Sequence, residues 1–273
     1  MASLSPHQRG LLLTVVGVLV LTPDALMVRL VEVDYWTALF WRSLFAALVL
    51  FALNAVIEKE NPIEAVFGLF RNGMLCALFF AGSNVCFVIS ITHTTVANTL
   101  VILASMPFIA AVLTIVLMRK NLALRTWMTI VLAMVGIVMV FWGRFGDGNT
   151  FGDIIAVFCA LFMAATLVLI SANPRINSTA AIGLGAFLAA LFAFFMGAEP
   201  TAVTNRDLIV LVANGGVIIP VAMGLITYGP KLISAPEVSL IMLLETVLGP
   251  LWVWLALSER PLPQTFVGGS LVR

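Results

Sequence analysis

Long, nearly uninterrupted apolar runs recur along the chain, separated by short polar connections. They do not alternate in the way that strands of a membrane β-barrel must. Each approaches the roughly 20 residues that a helix needs to cross a bilayer. The pattern predicts nine complete spans, over 10–31, 36–57, 68–91, 95–118, 125–142, 153–172, 180–197, 208–228 and 234–257, and a tenth that begins at 264. The tenth stops at Gly268-Gly269-Ser270-Leu271-Val272-Arg273, too short to cross, so the natural chain is expected to continue. The longest connections, 58–67, 143–152 and 198–207, leave no room for a soluble domain.

Composition supports the same class. Hydrophobic residues make up 62% of the chain and charged residues only 10%, with a mean hydropathy of +1.14. A soluble domain carries about 25% charged residues, so this chain has too few to clothe a water-facing surface. The run Gly10–Leu21 is followed by no small-x-small cleavage site and reads as the first membrane helix rather than a leader. A net charge of +1 with no basic run excludes nucleic acid as a partner and leaves the lipid bilayer as the expected surroundings. Cys76, Cys86 and Cys159 lie far apart inside apolar runs, so neither a disulfide framework nor a metal site is expected.

Basic residues orient the spans. With the N-terminus cytoplasmic, inner connections hold Arg9, Lys59, Arg71, Arg119, Lys120, Arg125, Arg175 and Lys231, and outer ones hold Arg29, Arg144, Arg206 and Arg260. The excess favours that orientation.

A shift of 139 residues sets TTVANTLVILASMP (94–107) over ISAPEVSLIMLLET (233–246), and MRKNLALRTW (118–127) over LSERPLPQTF (257–266). The chain thus divides into two units, 9–143 and 152–273, of five spans each, the second incomplete. Because five is odd, the second unit enters the membrane from the opposite side. Such inverted repeats are a common plan among secondary transporters.

WTALFWRSLFAALVL (36–50), TVANTLVILASMPFIAAVLTIVLMRKNLALRTWMTIVLAMVGIVMV (95–140), FGDIIAVFCALFMAATLVLI (151–170) and APEVSLIMLLETVLGPLWVWLALSERPLPQTFVGGSL (235–271) resemble the drug/metabolite transporter superfamily. The likeness is to its ten-helix proteins built of two EamA domains. The resemblance implies an all-α membrane protein of ten helices in two inverted five-helix repeats. It also implies a secondary transporter of small organic metabolites, with amino acids as frequent, often exported cargo, and peripheral fifth and tenth spans. The expected setting is the cytoplasmic (inner) membrane of a bacterium. No ATP-binding motif is present, so energy must come from a gradient or from the substrate's own concentration difference.

Polar groups inside the runs are the candidate chemistry. Glu245 lies deep in LIMLLETVLGPLWVWLAL (240–257), where a charged carboxylate is costly, which makes it the candidate for proton coupling. Arg42 lies about two turns into span two and is open to anchoring, ion pairing or holding a substrate carboxylate. With Glu245 or Asp24 it could bind both ends of a zwitterion. An acid among aromatics also suits quaternary or lipophilic cations. Thr22-Pro23-Asp24 reads as a helix start inside span one, with Thr22 as cap and a substrate or proton role as the alternative for Asp24. Span three carries Ala81-Gly82-Ser83-Asn84 and span eight carries Asn214-Gly215-Gly216 and Pro220, and under the same shift Pro220 falls on Ala81. Both are expected to loosen there, and Pro107 and Pro250 mark spans four and nine. Asn84 and Asn214 therefore join the candidate site.

Ser234-x-x-Glu237 reads as a capping box, with Thr95-x-x-Asn98 as its counterpart and Asn98 a further polar candidate. Phe80, Trp41 and Trp252 lie deep enough to line a cavity, expected between spans one to four and six to nine. No enzyme motif and no cofactor fingerprint appears: Gly183-x-Gly185 follows no strand, and Gly146-Asp147-Gly148 reads as a turn. A second copy of the chain is a candidate partner. The competing class is a non-transporting scaffold or a lipid-modifying enzyme.

Overall fold

The computed structural model describes residues 5–59, 61–119, 122–141 and 149–257, and no strand occurs among them. Span one is divided into α1 (Pro6–Leu21) and α2 (Asp24–Leu30). Span two is α3 (Tyr35–Leu53), extended by a π-helical turn over Asn54–Glu58. A short helix, α4 (Pro62–Phe67), leads into span three, α5 (Arg71–His93). Span four comprises α6 (Val96–Leu103) and α7 (Met106–Met118), and α8 (Leu124–Phe141) occupies span five. Spans six and seven are α9 (Thr150–Ala172) and α10 (Ser178–Phe195). Span eight consists of α11 (Asn205–Ala213), a π-helical segment over Asn214–Ile218, and α12 (Ile219–Ile226). Helix α13 (Ala235–Leu257) is span nine.

Seven of these segments, at spans one to four and six to eight, are long and apolar enough to cross a membrane. The expected tenth span and the Gly146-Asp147-Gly148 turn lie outside the described residues.

Local chemistry starts the helices. Ser5 and Gln8 form a capping box on α1, and Asp34 accepts from the amides of Trp36 and Thr37 at the head of α3. Asn149 and Asn177 cap α9 and α10 in the same way. The expected box at α13 is present: Ser234 N and Oγ donate to Glu237 Oε2 at 2.8 and 2.7 Å, and Glu237 N donates to Ser234 Oγ at 3.4 Å. Each cap satisfies amides that the first turn of a helix leaves without partners.

The main packing pairs join the two halves of the chain. α5 lies along α9, α3 along α10, α1 along α12, and α7 along α13. Exchange of the first four spans with the sixth to ninth maps this set of pairs onto itself, as a pseudo-twofold arrangement requires. Small residues make the approach close: Ala77, Ala160, Ala164, Ala181, Ala186 and Ala189 are fully buried at these seams. Outward stripes such as Leu12, Val16 and Leu19 on α1, or Met128, Val131 and Val135 on α8, stay exposed. In a bilayer these apolar stripes face lipid.

The interruptions differ in part from expectation. Span one breaks at Thr22-Pro23 as expected, but Thr22 does not cap α2; its hydroxyl donates back to Leu19 O at 2.9 Å. Span eight loosens at Asn214, yet α5 runs unbroken through Ala81–Asn84. The reason is that Gly82 serves packing: a Cβ there would lie 2.8 Å from the Phe162 ring of α9. A glycine with no following proline keeps the i→i−4 ladder, so the helix persists. Span four breaks at Ala104-Ser105, just before Pro107, whereas α13 continues through Pro250. One proline removes a single ladder bond and does not by itself end a helix in a membrane bundle.

Gly215 sets the closest approach of span eight to span two. A Cβ on it would collide with the backbone of Arg42, its carbonyl oxygen above all. Gly224, two turns on, faces open space. Gly215→Ala is therefore expected to destabilise the protein by about 1–3 kcal/mol through overpacking, read as a lowered melting temperature in detergent. Gly224→Ala is expected to melt at or slightly above the wild-type temperature.

Candidate functional site

A cavity of about 60 Å³ lies where the broken spans meet. Its polar lining comprises Asp24, Arg42, Ser83, Asn84 and Glu245; the rest is Leu21, Phe80, Phe87, Leu103, Met106, Cys159, Met163, Ile219, Met223 and Met242. Spans one to four, six, eight and nine all contribute. Span seven, expected to take part, supplies no lining residue because α10 packs behind α3 and α5.

Arg42 and Asp24 form the polar centre. Arg42 Nη2 donates to both Asp24 oxygens, at 3.0 and 2.9 Å, and the two residues are only 3% and 4% exposed. Asn214 Nδ2 donates to Asp24 Oδ1 at 2.9 Å from the π-helical segment of span eight. The break at Thr22-Pro23 places Asp24 at the start of α2, where its side chain turns inward. A buried pair of this kind gains little over a packed apolar contact, but losing one partner strands a charge at a cost of about 3–5 kcal/mol.

The guanidinium is only partly satisfied. Its Nε and Nη1 are buried and have no hydrogen-bond partner among the described residues, and neither does Asn214 Oδ1. Unmet buried donors cost about 1–3 kcal/mol each. The Phe87 ring lies 5.6 Å from the guanidinium carbon, so one face of the cation rests on an aromatic surface. Asn84 Nδ2 donates to Ser43 Oγ at 3.1 Å, which ties α5 to α3 beside Arg42.

Glu245 also lines this cavity, 7% exposed, and its carboxyl has neither a hydrogen bond nor an ion pair among the described residues. Its repeat counterpart Met106 lines the cavity too. The cavity therefore holds a cation with two idle donor positions and an acid with no partner, inside walls of thioether and aromatic groups. Such a set can take up an anion at one point and a cation at another.

Of the candidates from sequence, the fold brings together Glu245, Arg42, Asp24, Asn84 and Phe80, with Asn214 directly behind Asp24. Three others lie elsewhere. Trp41 Nε1 donates to Pro200 O at 3.3 Å and its ring stacks on Phe45, so it anchors the connection that follows α10. Trp252 is 43% exposed and donates through Nε1 to Thr22 Oγ1 at 2.9 Å, clamping α13 onto the break in span one. Asn98 lies at the helix cap, where Thr95 Oγ1 accepts from its amide and its Nδ2 reaches Thr94 Oγ1 at 3.4 Å.

Sequence reasoning missed the four methionines and Cys159. They are scattered over spans four, six, eight and nine, and no periodicity marks them. The repeat alignment of Met106 with Glu245 was the one available signal.

If the Asp24–Arg42 pair is as interdependent as its geometry indicates, single removal should hurt more than joint removal. Asp24→Ala alone is expected to lower stability by about 3–5 kcal/mol. Asp24→Ala with Arg42→Gln should cost clearly less than the sum of those two singles, measured by a thermal-melt double-mutant cycle.

Comparison with known proteins points to one family. No curated protein sequence matches the chain. Among solved structures, one described only as the crystal structure of a protein superposes with a TM-score of 0.81 at 13% identity, covering 97% of this chain and 95% of its own. That likeness speaks for the fold alone. A profile of the EamA-like transporter family matches residues 8–142 and again residues 150–272, nearly the whole length and once per repeat. The chain belongs to the EamA-like transporter family, membrane transporters of the drug/metabolite type.

Proposed function

We propose that the protein is a secondary active exporter of small zwitterionic metabolites, amino acids foremost, working by alternating access. The single observation behind this reading is the buried Arg42 guanidinium, whose Nε and Nη1 lack partners in the cavity that also holds the partnerless carboxyl of Glu245. A substrate carboxylate would complete the Arg42 donor set while Asp24 holds the guanidinium in place. The substrate ammonium would then lie against Glu245. An ion pair in this dry setting is worth far more than in water, so each end of the zwitterion offsets the other's desolvation.

Coupling follows from the same acid. When the ammonium departs, Glu245 is left as an uncompensated charge in a low-dielectric site, and a proton neutralises it. One proton then enters for each zwitterion exported. Export is the direction implied by the family resemblance. The Lys and Arg bias of the connections supports a cytoplasmic N-terminus, in a bacterial cytoplasmic membrane.

A second reading has its own support. Met106, Met163, Met223 and Met242 join Phe80 and Phe87 around Glu245. Thioethers are polarisable and adaptable, and an acid among aromatics suits quaternary or lipophilic cations.

Counterflow into proteoliposomes, with a panel of amino acids and organic cations, separates the two readings. The zwitterion reading expects exchange of amino acids, and Arg42→Gln is expected to weaken their apparent affinity by about 10- to 100-fold, the loss of one or two charge-assisted hydrogen bonds. Glu245→Gln is expected to retain exchange while losing accumulation driven by a pH gradient. Uptake with unchanged pH dependence in Glu245→Gln would refute the coupling role. If Arg42→Gln transports normally and only melts earlier, Arg42 is architectural.

A further inference from the structure

A second cavity, of about 500 Å³, lies at the end of the bundle where α4 meets α5 and where α9 turns into α10. It is distinct from the transport cavity. Its floor residue Gly73 is seven positions before Phe80, the first α5 residue to line the transport cavity, about 10 Å along the axis, and α5 and α9 pack tightly between the two. Ala65 and Leu69 complete the floor, and Glu64, Asn72, Asn173 and Arg175 form the rim.

The rim is held open by bonds of its own. Asn72 Nδ2 donates to Asn173 Oδ1 at 3.1 Å, and Asn173 Nδ2 donates to Leu169 O at 3.1 Å. The same turn is fastened from behind, where Lys231 Nζ donates to Ile176 O at 2.9 Å and Asn177 Nδ2 to Asn54 Oδ1 at 2.7 Å. The charges of Glu64 and Arg175, in contrast, are uncommitted. They are opposite in sign, both line the cavity, and neither side chain has an ion pair or hydrogen bond among the described residues.

The flank is apolar and outward-facing. Ile63, Phe67 and Phe70 are 65%, 86% and 89% exposed, and Met74 and Leu78 continue the stripe along α5. α5 crosses the membrane, so that stripe faces acyl chains and the cavity opens at headgroup depth, where span-end aromatics belong.

We propose that this cavity binds the headgroup of a zwitterionic aminophospholipid. The lipid phosphate sits at Arg175 and its ammonium at Glu64. Asn72 and Asn173 meet the phosphate and ester oxygens, and the acyl chains follow Phe67, Phe70, Met74 and Leu78. A choline headgroup has no N–H to give Glu64. A glycerol headgroup leaves Glu64 facing a net anion. A soluble phosphoethanolamine has the charges but gains nothing from the apolar flank.

The test uses the purified full chain, stripped of lipid and titrated with phosphatidylethanolamine, phosphatidylcholine or phosphatidylglycerol of identical acyl chains, with bound lipid counted by native mass spectrometry. One phosphatidylethanolamine is expected to be retained, about tenfold more tightly than either other lipid. Glu64→Gln with Arg175→Gln is expected to erase that preference, and Arg175→Lys to keep it. Phe67→Ser with Phe70→Ser is expected to weaken all three lipids alike. Equal retention of the three by the wild-type chain, or an unchanged preference in the charge variant, overturns the proposal. Binding of free phosphoethanolamine as tight as that of the lipid overturns it as well, and assigns the cavity to a soluble ligand.

Discussion

Arg42 can point its guanidinium into the membrane interior only because Asp24 meets it there, and three separate features bring that meeting about. Pro23 ends α1 and lets α2 restart with Asp24 turned inward. Gly215 lets the span-eight backbone touch that of α3 at Arg42, which no side chain would allow. The π-helical segment that begins at Asn214 then delivers an amide to Asp24 Oδ1. A buried charge without a partner is too costly to persist, so these features stand or fall together.

The pair is not closed on itself. Asp24 takes up Nη2 only, leaving Nε and Nη1 directed at nothing within the described residues. A structural ion pair would be expected to satisfy as many donors as its surroundings permit, since half-satisfied polar groups in a low dielectric are unfavourable. The donors that remain are unmet within the cavity. Glu245 carries the same mark from the other wall.

Asymmetry between the repeats has a chemical content here. Breaks occur in spans one, four and eight, while their counterparts in spans six, nine and three run on as continuous helices. Glu245 stands opposite Met106 across the repeat relation, so one half supplies an acid where the other supplies a soft apolar group. The pairing of helices keeps the pseudo-twofold pattern, and the polar groups depart from it.

Much of this was legible from residue order because the forces involved are local. Hydropathy over about twenty residues marks a span, and Ser234 with Glu237 marks a helix start, since both depend on neighbours within a turn or a run. A lone Glu245 in an apolar run stood out for the same reason, and it lines the cavity. Other outcomes depended on partners far away in the chain. Gly82 and Gly215 look alike in sequence, yet one admits the Phe162 ring and leaves its helix intact, and the other admits a backbone beside a π-helical turn. Trp41 and Trp252 were apolar enough for a cavity, and only the position of Pro200 O and Thr22 Oγ1 drew them away from it. Sequence by itself therefore determined the membrane class, the placement of the spans and the acid, through short-range physics. The tertiary structure decided which charges meet: Asp24 and Arg42 are 18 residues apart and Asp24 and Asn214 are 190 apart. Contact over such separations is set by how helices pack, which no local pattern encodes.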